Sequence, residues 1–282
     1  MQRPAPIYTS AGSEELMNVY SLSPPEFPTL WASAWGQDQH GYWQASELQG
    51  IQQIMRWIPP GTFQMGSPST EPERDDDEVL HQVTLNQGYW LAETACTQSL
   101  WLAVMEGNPS DFTASQENPV DSISWDDCQQ FISKANALLP DTFNLRLPTE
   151  AEWEYACRAN SQTVFSWGDS LNTEQANYDG DYPYANGEKG EYRKQTVEVL
   201  SFSTNSWGLY QMHGNVWEWC AGWYGDYPVK AVFNPLGASN GPCWVLRGGS
   251  WFNDGHHLRS AFRRASEPAN RAHSIGFRLA GG

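Results

Sequence analysis

The sequence is short of basic residues and has no paired cysteine motif and no long apolar run; each lack excludes something. Lys and Arg total 16 against 33 Asp and Glu, a formal net charge of −17. So acidic a chain lacks the basic face that nucleic acid or an anionic membrane surface requires. A local basic patch could still form in the last forty residues, which hold Arg247, Arg259, Arg263, Arg264, Arg271 and Arg278. The five cysteines (Cys96, Cys128, Cys157, Cys220, Cys243) form no C-x-x-C pair, which removes zinc knuckles and dithiol redox motifs. Their odd number and wide spacing fit reduced, mostly buried thiols. No apolar run approaches the roughly twenty residues of a membrane span. The opening MQRPAPIYTSAGSEELMN has neither the apolar centre of a signal peptide nor a lipobox-like Cys. The expectation is a cytoplasmic protein, a monomer or weak oligomer, with no nucleic-acid and no membrane partner.

What is present points to a packed domain. Hydrophobic residues make up 40% and charged residues 17%, and Trp (15) and Tyr (12) are abundant. Such aromatics supply large buried area and good contact surface. Residues 1–50 read as a Pro- and Ser-rich arm followed by a short β extension, and residues 51–282 as the main domain. WQASELQ and IQQIMRWI alternate as a hairpin around Gly50. The run Glu71 to Glu78 reads as a solvated acidic loop, because like charges repel and stay exposed. Helix signals occur three times: Thr97 before QSLWLAVM, Ser124 before WDDCQQFISKANALL, and Thr149 with Glu152 three residues on, a capping box leading into AEWEYACRA. Beyond Ala159, Gly, Asn, Asp and Pro punctuate short aromatic strands. Two to three helices followed by a loop-rich β half make an α+β domain with much irregular structure.

The words IPPGTFQMGS (58–67), NPVDSISWDDCQQF (118–131), RLPTEAEWEYACRA (146–159), NSWGLYQMHGNVWEW (205–219) and RGGSW…GFRLA (247–280) run in order along the chain. In them the chain resembles the formylglycine-generating enzyme or sulfatase-modifying-factor family over about four fifths of its length. The resemblance implies a C-type-lectin-like fold of that type. The oxidising enzymes of the family bind copper through two cysteines after the Gly-Gly-Ser word; here those positions are Asn253 and Leu258. Neither supplies the soft thiolate that Cu(I) needs. The His-x3-His-x-Glu pattern of the iron-dependent relatives is also missing. The expectation is a protein with no catalytic residues and no required cofactor.

The resemblance further implies structural calcium, held by oxygen ligands as a hard cation prefers. One set would be Asn177, the Tyr178 backbone and Glu191; the other Gly214, the Val216 backbone and Glu218, weakened by Gln211 where the family has Asn. Turn-forming loop residues are the alternative reading of both. Asp254, His256 and His257 suggest a metal cluster only if a loop makes them converge and a third ligand comes from elsewhere, since neighbouring side chains on a strand point to opposite faces. No Gly-x-Ser-x-Gly elbow accompanies Ser250 or Ser260.

The closing stretch, residues 247–280, also resembles the variable region of diversity-generating retroelement proteins. In those systems template adenines are randomised during reverse transcription, and the resulting codons never specify Lys, Gln, Glu, Met or Trp. Phe252, Asn253, Asp254, His256, His257, Phe262, Arg264, Ala265, Ser266, Ala272, His273 and Ser274 all obey that restriction. The resemblance implies that they bind an unknown protein ligand, while Arg-Gly-Gly-Ser-Trp, Leu-Arg-Ser-Ala and Ile-Gly-Phe-Arg-Leu-Ala form an invariant frame. Trp251, Leu258, Ile275 and Phe277 would face inward, and Gly248-Gly249 would permit a tight backbone path. The competing expectation is an enzyme or regulatory subunit of the sulfatase-modifying-factor kind with non-copper chemistry.

Overall fold

The computed structural model describes residues 22–140 and 142–282; residues 1–21 of the expected N-terminal arm lie outside them. In chain order its strands are β1 (Ala34–Asp38), β2 (Gly41–Leu48), β3 (Ile51–Ile58), β4 (Gly61–Met65), β5 (His81–Leu85), β6 (Tyr89–Ala92), β7 (Leu145–Arg146), β8 (Trp217–Trp223), β9 (Val232–Phe233), β10 (Trp244–Arg247), β11 (Arg263–Ser266), β12 (Ile275–Phe277) and β13 (Ala280–Gly281). The helices are α1 (Gln98–Val104), α2 (Trp125–Asn136) and α3 (Glu150–Arg158). The architecture is α+β with long irregular connections.

Each helix starts where its capping residue predicts. The Thr97 hydroxyl accepts from the Leu100 amide, and Ser124 with Asp127 and Thr149 with Glu152 close reciprocal capping boxes. Such a cap stabilises by about 1 kcal/mol. The hairpin turn is Gln49-Gly50, both with positive φ (51° and 84°), the conformation a two-residue turn needs to match strand twist. The sheet order is β1-β2-β3-β6-β13-β7, so pairing runs across residue 50 unbroken and the last strand inserts between β6 and the edge strand β7. A second sheet, β11-β10-β8-β12, carries the closing segment, and a third is ordered β4-β5-β9.

Two apolar clusters lie beneath these sheets. One gathers Trp57, Trp90, Phe131, Trp219 and Phe277; the other gathers Val83, Trp153, Tyr155 and Val245. Four of the five cysteines are buried in this interior, and Cys243 is half-buried. Burial pushes the Cys96, Cys128, Cys157 and Cys220 thiols up, which keeps them protonated.

The acidic loop is exposed at Glu73, Asp75 and Asp76, as expected, but departs from expectation at its two ends. Glu71 and Glu78 are buried, and both reach Arg259: Nη1 donates to Glu71 Oε1 (2.8 Å) and Glu78 Oε2 (2.7 Å), and Nη2 to Glu78 Oε1 (2.6 Å). A run of like charges reads as solvated only while its counter-charge, 181 residues away, is out of view. Among the described residues no helix is long and apolar enough to cross a membrane.

Candidate ligand-binding face

The closing segment is fastened by its arginines. Arg247, at the end of β10, is fully buried; its Nη1 donates to the Ala261 (2.8 Å) and Phe262 carbonyls and its Nη2 to the Ser260 carbonyl (3.0 Å) and Glu154. The first word of the frame therefore clamps the second. Arg263 Nε and Nη2 each donate to Glu150 at 2.9 Å. Arg278 donates to Glu218 Oε1 from Nη2 (2.8 Å) and to the Ala92 (2.9 Å) and Tyr210 (2.7 Å) carbonyls. Arg271 pairs with Asp127 at 2.8 Å. No basic patch forms from these six arginines: only Arg264 keeps an exposed guanidinium with no ion pair among the described residues.

Gly248 and Gly249 take φ of +96° and +73°. A Cβ on Gly249 would sit 2.7 Å from Leu258 Cδ1 and 2.9 Å from the His257 carbonyl, so the close path between the two words requires glycine. The anchors Trp251, Leu258, Ile275 and Phe277 are all buried.

On this frame the candidate contact residues converge around two indoles. Trp217, at the start of β8, is flanked by His257 (ring centroids 6.1 Å apart), Phe262 (5.8 Å) and the Arg264 guanidinium (5.5 Å). Trp251 is flanked by Phe252 (5.4 Å) and His273 (5.0 Å). Phe252 is the most open aromatic within residues 247–280, 57% exposed. Asp254, His256, His257, Ala272, His273 and Ser274 are half-buried, and Ala265 and Arg264 are exposed. Strand alternation separates those last two: Arg264 covers Trp217 while Ala265 points to the other side of β11.

Three of the expected contact residues do other work. Phe262 is only 7% exposed and belongs to the main apolar cluster, roofed by His256 and His257 at 5.5 and 4.6 Å. Ser266 is buried and accepts from Asn270 Nδ2 (2.9 Å). Asn253 Oδ1 accepts from Trp217 Nε1 (2.9 Å) and the Ser250 hydroxyl (2.6 Å), and its backbone carbonyl accepts from the Asp179 amide (2.9 Å). Its amide locks the loop to β8. Conversely, Phe112 and Tyr192 stand against Trp251 at 5.2 and 6.2 Å, from loops outside the closing segment. No word of the sequence flags them.

The positions where the resembling enzymes carry cysteines are thus a hydrogen-bonded amide and, at Leu258, a fully buried aliphatic among Val164, Phe165 and Tyr184. The second calcium set does not fit: the Glu218 carboxylate is buried and taken up by Arg278 and by Trp153 Nε1 (2.7 Å), so a cation there would have to displace a guanidinium. The first set fits better. Asn177 is buried with Oδ1 unpartnered among the described residues, while its Nδ2 donates to the Gln195 carbonyl (2.9 Å) and Asn215 Oδ1 (3.0 Å). Glu191 is exposed and 3.2 Å from Arg193.

Asp254, His256 and His257 do converge. A 3-10 turn, Gly255–Leu258, replaces the extended run that would have parted them. His257 Nδ1 is hydrogen-bonded to Asp254 Oδ1, and His256 Nδ1 lies 3.2 Å from Asp254 Oδ2. Burial, then the neighbouring His256, holds the His257 imidazole below its ordinary range despite Asp254.

Comparison with known proteins agrees with this architecture. The chain is 34% identical over 230 residues to the formylglycine-generating enzyme of Mus musculus, covering 75% of this chain and 59% of that protein. It therefore spans less than two thirds of that relative's length. Among solved structures it is similar to Treponema denticola variable protein 1, with 26% identity, a TM-score of 0.72, and 84% of this chain and 98% of that one covered. PvdO from Pseudomonas aeruginosa shares the fold, with a TM-score of 0.69 at 24% identity over 84% of this chain and 97% of that one. The model of the sulfatase-modifying factor enzyme 1-like domain matches residues 44–281, and the chain belongs to that family.

Proposed function

We propose that this chain is a non-enzymatic binding protein whose C-terminal face is diversified by a retroelement and captures a protein ligand. The observation that carries the reading is the division of labour within residues 247–280. The frame's side chains are buried or ion-paired, whereas the partly open side chains gather at two indoles, His257 and Arg264 at Trp217 and Phe252 and His273 at Trp251, with Asp254 and His256 beside His257. Aromatic and Arg side chains at the centre of a face are those that carry most interface energy. Substitution at exposed sites costs within about ±0.5 kcal/mol, so such a face tolerates change without unfolding. A pre-organised surface also lowers the ordering cost of association. The resemblance to Treponema denticola variable protein 1 supports the same reading.

Phe112 and Tyr192 form the fixed border of the patch in this proposal, and Phe262, Asn253 and Ser266 its floor. In the same proposal calcium belongs with Asn177, the Tyr178 backbone and Glu191. The test at the DNA level is a near-copy of codons 247–280 that differs at adenines and lies beside a reverse-transcriptase gene. At the protein level, a library randomised at Phe252, Asp254, His256, His257 and Arg264 should remain folded in most members; widespread unfolding would sink the proposal. Oxidation of a Cys-containing sulfatase peptide in the presence of copper and oxygen would instead favour the enzyme.

A further inference from the structure

We propose that Asp254, His256 and His257 bind one divalent ion of the zinc, cobalt, nickel or copper(II) class, leaving a coordination position open to solvent. The inference uses three residues of the proposed binding face, but it needs no protein ligand and is tested without one.

The three residues bring two imidazoles and a carboxylate together with donor atoms all within 4.8 Å of one another. Ligands about 2.0–2.2 Å from an ion span nearly that distance across it, so small side-chain rotations close the set. Imidazole nitrogen with one carboxylate suits borderline ions; calcium and magnesium prefer six or more oxygens.

The backbone holds the donors in place before any ion arrives. Asp254 is the N-cap residue of the 3-10 turn, yet its side chain caps nothing, which leaves the carboxylate to the two rings. The Gly255 amide donates to the Tyr182 carbonyl (2.9 Å), and a Cβ there would meet the Tyr184 amide nitrogen at 2.4 Å. The His256 carbonyl accepts from Arg259 Nε (3.0 Å), the same arginine that Glu71 and Glu78 hold. The imidazoles consequently lie side by side, 3.8 Å apart and tilted 37°. Phe262 closes the inner side, 4.6 Å from the His257 ring. The outer side is open: the side chains of His256, His257 and Asp254 are 29%, 23% and 41% exposed. Three donors on an open face leave room for water or an incoming donor group. A site on a rigid turn with locked neighbours is the arrangement that metal binding requires.

The experiment uses the untagged full-length chain, stripped with a chelator and titrated with Co2+, then Zn2+. The expected result is uptake of one equivalent of Co2+ with visible d–d bands, their loss on adding Zn2+, and a shift of the bands on adding imidazole to the cobalt form. His256→Ala and His257→Ala should each weaken binding by more than about 100-fold, because even groups that only support a ligand cost about 10–100-fold. Thermal unfolding should stay unchanged in His256→Ala, with Asp254→Asn as a second variant should His257→Ala disturb the turn. No uptake at millimolar metal, or uptake unchanged in the His256→Ala/His257→Ala double variant, would overturn the assignment.

Discussion

Replacing Phe262 and Phe252 singly by Ala separates the frame from the face. Phe262 is 7% exposed, packed between Trp217 and the paired imidazoles, with the Arg259 guanidinium 5.6 Å from its ring. Truncating a buried Phe to Ala costs about 3–5 kcal/mol, depending on how far the site collapses. The half-buried His256 and His257 can settle inward, so the lower end applies, about 3 kcal/mol. At about 2–4 °C per kcal/mol for a chain of this size, the midpoint should fall by roughly 6–12 °C. Phe252, 57% exposed, should cost at most about 0.5 kcal/mol, or about 2 °C. Urea unfolding with an unchanged slope, alongside calorimetry, measures both. Equal losses from the two substitutions, or the larger loss from Phe252→Ala, would refute the separation. Ligand capture should show the opposite order, with Phe252→Ala the more damaging while the protein stays folded.

Arg259→Met should destabilise by about 3–5 kcal/mol, because it leaves Glu71 and Glu78 buried without their counter-charge; adding Glu78→Gln should recover part of that, and a urea double-mutant cycle showing no coupling would contradict the pairing. His213 donates from Nδ1 to the Leu258 carbonyl (2.7 Å) and accepts at Nε2 from the Ser166 amide (3.1 Å), so the folded ring is neutral. Burial lowers its pKa from 6.5 to about 4. The unfolded chain takes up this proton below about pH 6.5 and the folded chain only near pH 4, so the associated stability is whole above the upper value and declines as pH falls through the window. The decline amounts to about 3 kcal/mol, and urea midpoints across it should show a slope that His213→Gln reduces by that amount.

The elements that local chemistry decides were legible without coordinates. Thr97, Ser124 and Thr149 mark helix starts because a cap is satisfied within three residues, and Gly50 marks a turn because glycine's backbone preference is its own. The frame words and their inward anchors were legible for a related reason: glycine pairs and spaced apolar residues state their requirements nearby. What was not legible depends on partners far away in the chain. Glu71 and Glu78 look solvated until Arg259 lies between them. Phe262 stands in a stretch with no period, so nothing local says which way its ring turns. Asn253 resembles a free contact residue because one of its donors, Trp217, lies 36 residues back and meets it only once β8 and the closing loop are adjacent. Phe112 and Tyr192 went unseen because they join the face from loops that carry no motif.

The distribution of the buried carboxylates limits how this surface can be engineered. Arg247, Arg259, Arg263 and Arg278 each take their counter-ion from outside residues 247–280, at Glu154, Glu71 and Glu78, Glu150 and Glu218 respectively. Transplanting the terminal segment alone into a foreign host would strand four guanidinium groups in an interior with nothing to neutralise them. A successful graft must carry the 71–78 loop, α3 and β8 with it, which makes the portable unit nearly the whole domain.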